Sequence, residues 1–263
     1  MSTEKPVSTT PILTIAEGKA LIRFNRPAEH NRLEPDDLEA LIEIYDRIGK
    51  DNSIRVLVLT GTGKSFSSGF HIGALKERKE GKQKEYDPNA FEKMVDKLEE
   101  LRVPTIAALN GGVYGGSTDL ALACDFRIGV EQTRMFMPAA RLGIVYYQSG
   151  LRRYVSRIGL DNAKRMFLTA APVEAKELLG MGYLTEIVPA EQLMTRVDAL
   201  ASEIAANAPL ALAATKKALN DVAAGRLDSR WHEDARTLCA KSDDHREGLK
   251  AWAEKRKPVF QGR

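Results

Sequence analysis

The chain is predicted to be an α/β protein with a helical C-terminal end. Short apolar strands alternate with amphipathic helices, glycine turns join them, and beyond Glu191 the strands cease while helical patterning continues. At 263 residues the chain can bury a sizeable core, as one large domain or as two unequal ones. The expected division places residues 1–200 in the α/β body and 201–263 in the helical end.

The elements follow in order. Residues 12–15 and 20–24 read as a hairpin turning at Glu17-Gly18. Leu38, Leu41, Ile42, Tyr45 and Ile48 mark one face of a helix that opens near Pro35, where a missing N–H costs nothing. Residues 56–61 form an apolar strand ending in glycine. Residues 75–89 are densely charged and carry Gly81 and Pro88, which predicts a solvated insert, well placed to act as a lid. Phe91, Met94, Val95, Leu98 and Leu101 mark a second helix, and residues 105–109 a short buried strand. Pro209, Gly225 and Asp228 are the expected boundaries among the terminal helices.

Composition excludes several classes. The net charge of +3 arises from 39 basic and 36 acidic residues, too small an excess for a nucleic-acid partner. Cys124 and Cys239 have neither metal-type spacing nor the pattern of a disulfide framework, and no metal site is expected. Cys124 reads as a small core residue. No apolar run of about 18 residues suggests a membrane span, and the opening ten residues are polar with no signal-peptide core. The expectation is a cytoplasmic protein with a frayed start and no membrane partner.

Chemistry concentrates at Asn110-Gly111-Gly112-Val113-Tyr114-Gly115-Gly116-Ser117-Thr118-Asp119, where a strand passes through glycines into a helix. A helix start presents unpaired N–H groups and a positive dipole end, so negative charge developing there meets donors that need no reorganisation. A tight turn would use the same glycines for backbone freedom alone. The grammar recurs upstream, where residues 56–61 lead into Phe66-Ser67-Ser68-Gly69-Phe70-His71-Ile72. Two such junctions can each aim a backbone N–H at one carbonyl oxygen, as enolate formation or acyl transfer requires. No P-loop pattern is present to support a nucleotide hydrolase.

These two blocks, with Leu142-Gly143-Ile144 and the closing Glu254-Lys255-Arg256-Lys257-Pro258-Val259-Phe260-Gln261-Gly262-Arg263, resemble the crotonase family, also called the enoyl-CoA hydratase/isomerase family. The resemblance covers nearly the whole chain. It implies a repeated ββα spiral closed by C-terminal helices that assemble a homotrimer or hexamer. It also implies an acyl-CoA thioester substrate, with coenzyme A entering as part of that substrate and no separate cofactor. By matching position, the N–H groups of Phe70 and Gly116 would form an oxyanion hole. His30 would lie near CoA phosphates, Trp252 and Lys255 near the adenine of a neighbouring subunit, and Ser68, His71 and Tyr147 beside the substrate. Helix packing and simple solvation account equally well for Trp252 and Lys255.

The chain departs from the hydratase pattern at the two positions where similar enzymes carry glutamates. These are Asp119 and Ala139 here, so the usual two-carboxylate water site cannot form. Asp119 is the best acid/base candidate, although an acidic residue in a first helical turn also stabilises the dipole. Tyr146 resembles a tyrosine of methylmalonyl-CoA decarboxylases and would orient the substrate, and residues 167–172 look like that branch too. Tyr146 and Tyr147 alternatively form an aromatic wall. His71 stands one place later than that branch's histidine, which favours a structural or CoA-adjacent role. The expected function is a lyase of this family stabilising a thioester enolate, on a non-standard enoyl-CoA. Decarboxylation of a malonyl-type CoA is the alternative, and acyl-CoA binding without turnover a third.

Overall fold

The computed structural model describes residues 10–71, 73 and 87–263. The expected lid lies outside the described residues except for its last three positions, and so does nearly all of the polar start.

The body consists of two sheets threaded by one repeating unit. β1 (Ile12–Ala16) and β2 (Lys19–Phe24) form the antiparallel hairpin, with Glu17 and Gly18 at φ of 50° and 73° in the turn. β2 then pairs in parallel with β3 (Val56–Gly61), followed in the sheet by β5 (Thr105–Leu109), β7 (Phe126–Val130) and β10 (Glu186–Val188). The second sheet is β4 (Ser65–Ser67), β6 (Gly112–Tyr114), β8 (Arg134–Phe136) and β9 (Val173–Glu174). Each of β3, β5 and β7 hands the chain to its successor in the second sheet, and helices Ala90–Glu99, Ser117–Ala123 and Gln148–Ile158 follow in turn. This is the repeated ββα spiral that the resemblance implies.

The strands read as unbroken apolar runs because both faces of the large sheet are covered. Val56, Val58, Ile106, Ala108 and Ile128 meet Val197 and Ala201 of helix Leu193–Ala205, while Leu57, Leu59, Ala107 and Leu109 join the main core. Truncating one such residue, Leu57→Ala, costs about 2–5 kcal/mol. Local signals end the helices. Helix Pro35–Lys50 opens with proline in its first turn and a capping box, in which the backbone N–H of Glu34 donates to Asp37 Oδ2 at 2.8 Å. At the far end of helix Ser117–Ala123, Arg127 and Arg157 donate to the Cys124 carbonyl at 2.6 and 2.8 Å, setting positive charge against the negative end of the dipole. Burial, then repulsion from Arg157, lowers Arg127 to about 10. Burial likewise raises the Cys124 thiol to about 12, which suits an unreactive core residue.

The chain ends in helices Pro209–Ala223, Ser229–Lys241 and Asp243–Ala253. Pro209 opens the first, Gly225 turns at φ 64°, and Asp228 caps the second by accepting from the N–H of Arg230 at 2.8 Å and Trp231 at 3.2 Å. The expected division after residue 200 falls inside helix Leu193–Ala205, which packs on the large sheet. Leu219, Val222, Leu238, Leu249 and Trp252 are exposed on the terminal helices. Among the described residues no single helix is long and apolar enough to cross a membrane.

Candidate functional site

Topology places the site. β4, β6 and β8 are parallel neighbours, so their carboxyl ends lie side by side, the edge at which open α/β sheets bind ligands. The residues that follow those ends line one cavity of about 520 Å³: Ser68 and Phe70 after β4, Gly115 and Gly116 after β6, and Met137, Pro138 and Ala139 after β8. Segments far apart in sequence therefore meet because their strands are adjacent.

The first two turns are pinned together. Ser117 Oγ lies 2.7 Å from the carbonyls of both Ser67 and Tyr114, and Asn110 Nδ2 donates to Gly63 O at 2.8 Å. A Cβ at Gly69 would stand 2.6 Å from Tyr114 O and 2.9 Å from Gly116 N, so the two backbones touch with no room for a side chain. Leu33 pairs in parallel with Phe70, its N–H donating to Gly69 O and its carbonyl accepting from His71 N–H, each at 2.9 Å. That ladder turns the N–H of Phe70 itself away from Leu33. Gly116 N–H donates no hydrogen bond among the described residues. Phe91 covers this junction, its ring 5.9 Å from that of Phe70, and a Cβ on Gly116 would stand 2.7 Å from it.

The opposite wall is aromatic and, behind that, ionic. Tyr146 and Tyr147 stack with ring centres 4.3 Å apart, and Phe167 lies 5.3 Å from Tyr146. Tyr146 Oη donates to Tyr147 Oη at 3.3 Å, and Tyr147 Oη donates to Asp119 Oδ2 at 2.5 Å. Burial, then the charge of Asp119, pushes both phenols well above the ordinary tyrosine range, so both hydroxyls keep their protons. Asp119 is wholly buried and is gripped from behind. Arg153 Nε donates to Oδ1 at 2.9 Å and Nη2 to Oδ2 at 2.7 Å, a two-pronged pair. Arg153, also fully buried, reaches Asp96 at 2.7 Å and Glu99 at 3.1 Å through Nη1. Its burial opposes its charge, and the hydrogen bonds and charge of Asp119 outweigh that to raise its pKa.

The sequence-derived candidates therefore divide. Ser68, Phe70, Gly116, Tyr146 and Tyr147 share the cavity, and Ala139 forms part of its wall. Asp119 lies behind that wall rather than on it, and Tyr147 connects it to the cavity. His71 Nδ1 is 2.9 Å from Glu34 Oε2, and His30 Nδ1 is 2.9 Å from Ser65 Oγ. Neither histidine lines the cavity, although His30 O accepts the N–H of Ser68 at 2.8 Å and so helps shape the first turn. Trp252 and Lys255 are exposed near the C-terminus and do not line it either. Sequence reading missed Arg153, Ser117 and Glu92. Glu92 lines the cavity beside Phe91 and accepts from Ser149 Oγ at 3.3 Å. A polar residue opening the helix after the glycines, Ser117–Ala123, was the available signal for Ser117. Arg153 has no local signal, because its partner lies 34 residues away.

Comparison with known proteins agrees with this fold. The family model for enoyl-CoA hydratase/isomerase matches residues 14–263. The short-chain-enoyl-CoA hydratase of Clostridium acetobutylicum is 33% identical, covering 92% of this chain and 94% of that protein. The crotonyl-CoA hydratase of Syntrophomonas wolfei is 31% identical, covering 95% and 96%. Among solved structures, an enoyl-CoA hydratase/carnithine racemase from Magnetospirillum magneticum superposes with a TM-score of 0.88 at 26% identity, covering 98% of this chain and 97% of that one.

Proposed function

Because this chain belongs to the enoyl-CoA hydratase/isomerase family, we propose that it is a lyase that stabilises the enolate of a non-standard enoyl-CoA thioester. The observation that carries the reading is the meeting of the Phe70 and Gly116 turns at one cavity whose far wall holds two protonated phenols and Ala139. The thioester oxygen lies between the two N–H groups, and charge pushed onto it as the enolate forms is met by dipoles already in place. Tyr146 and Tyr147 present their hydroxyls to the acyl end. Asp119, neutralised by Arg153, acts through Tyr147 by fixing the direction of that phenol. Ser68 contacts the thioester arm, and His71 stays at its edge. His30 meets the CoA phosphates, and Trp252 and Lys255 meet the adenine of a neighbouring copy in a trimer or hexamer.

Decarboxylation of a malonyl-type CoA is the second reading, favoured by the apolar Ala139. Loss of carbon dioxide creates the enolate without a base, and a phenol can orient the departing carboxylate. A panel of enoyl- and malonyl-type thioesters read by mass spectrometry separates the two. Gain of water supports the first, loss of carbon dioxide the second. A panel left wholly unchanged by a protein that also fails to bind CoA overturns both.

A further inference from the structure

With Ala139 in place of a glutamate and Asp119 locked behind the phenols, the site still needs a group to move a proton. We propose that Glu92 is that group. Among the described residues, Glu92 supplies the carboxylate side chain of the cavity lining. It follows Phe91, whose ring covers the Gly116 junction and lies 6.3 Å from Tyr147.

Its placement needs another explanation than helix capping. Glu92 stands in the first turn of helix Ala90–Glu99, where a glutamate commonly reaches back to the N–H of the cap residue. Here that N–H, on Asn89, already donates to Asp87 Oδ1 at 2.9 Å, and Asp87 Oδ2 takes Lys93 Nζ at 2.6 Å. Glu92 is half-buried and turns instead toward Ser149, two residues beyond Tyr147. A hydroxyl donor of this kind holds a carboxylate in one orientation and leaves its second oxygen for a proton.

The inference rests on the enoyl-CoA reading above, and its chemistry balances with one carboxylate. Water adds its oxygen to Cβ of the enoyl thioester as one water proton moves to Glu92. The electron pair of the double bond shifts to the thioester oxygen, giving an enolate held by the N–H groups of Phe70 and Gly116. The enolate pair then takes the proton from the Glu92 carboxyl at Cα, which restores the carboxylate and leaves water added across the double bond.

Exchange at Cα isolates this group from the identity of the natural acyl chain. Butyryl-CoA, incubated with protein in deuterium oxide, should acquire deuterium at Cα. Glu92→Gln should slow that exchange by about a hundredfold or more, with the butyryl-CoA Kd by isothermal titration within about threefold of wild type, and Glu92→Asp should recover part of the rate. Exchange by Glu92→Gln within about threefold of wild type overturns this inference and leaves the enoyl-CoA reading standing. So does a wild type that binds butyryl-CoA without exchanging it, or a Glu92→Gln variant whose loss is entirely in Kd. A wild type that binds neither butyryl-CoA nor free CoA brings down the reading and the inference together.

Discussion

The two walls of the cavity are built by different means. On one side the Phe70 and Gly116 turns offer backbone groups, fixed by the pairing of β4 with β6 and by Ser117 between them. On the other, Tyr146, Tyr147, Asp119 and Arg153 offer side chains whose roles depend on which partner each finds. Backbone donors cannot be reassigned without changing the fold. Side-chain groups can, and Asp119 shows it: a carboxylate in the expected helical turn is engaged by an arginine from another helix.

The largest expected effect breaks the ionic wall. Arg153→Met leaves Asp119 buried without its counter-charge, and removing one partner of such a pair costs about 3–5 kcal/mol. Pairing it with Asp119→Leu should recover much of that stability in urea unfolding, whereas additive losses would show that the two residues contribute independently. Next comes the backbone wall. Gly116→Pro deletes one N–H, and turnover should fall by about 10²–10³ in a protein that still binds CoA. Phe70→Ala keeps its donor and should lose far less; equal losses would remove the distinction between the walls.

A smaller effect is expected at the phenols. Tyr146→Phe removes the hydroxyl that donates to Tyr147 and that the proposed reading turns to the acyl group, and its loss should cost about 1–3 kcal/mol in kcat/KM while stability changes little. An unchanged kcat/KM would make the tyrosine pair a packing wall alone. The smallest lies outside the site. Hydrogen bonds from Arg256, then the N–H of Val259, hold Glu247 at about 2, below the ordinary carboxylate range. A lowered folded value means the contribution is complete above the unfolded value of about 4.3 and fades as pH falls toward the folded one. Amide exchange at Val259 should therefore quicken relative to its intrinsic rate between these values, and a flat profile would show the tail is held by other contacts.

Much of the body was legible because its signals are local. The two-sided burial of β3 and β5 writes apolar runs into the sequence, Pro35 and Asp228 mark helix starts by what their own atoms can and cannot donate or accept, and Glu17-Gly18 announces its turn. The glycine-turn wall was readable for the same reason. The opposite wall was not. Arg153 meets Asp119 across 34 residues and Glu92 meets Ser149 across 57, and such pairings follow from how three helices pack, which no short window of sequence records. Asp119 therefore reads as an available acid when only its own turn is considered.

Gly69 sets the tolerance of the whole arrangement. With two backbones already in contact there, the position works like the closed jaw of a caliper: any side chain is a shim whose thickness is added to the gap between the Phe70 and Gly116 turns. Backbone N–H donors hold an oxygen at about 2.7–3.2 Å, and the bond weakens steeply as its angle closes toward about 120°. On the proposed reading Gly69→Ala therefore spoils the match to a planar enolate by forcing the two turns apart, and at a φ of 89° it strains its own backbone as well.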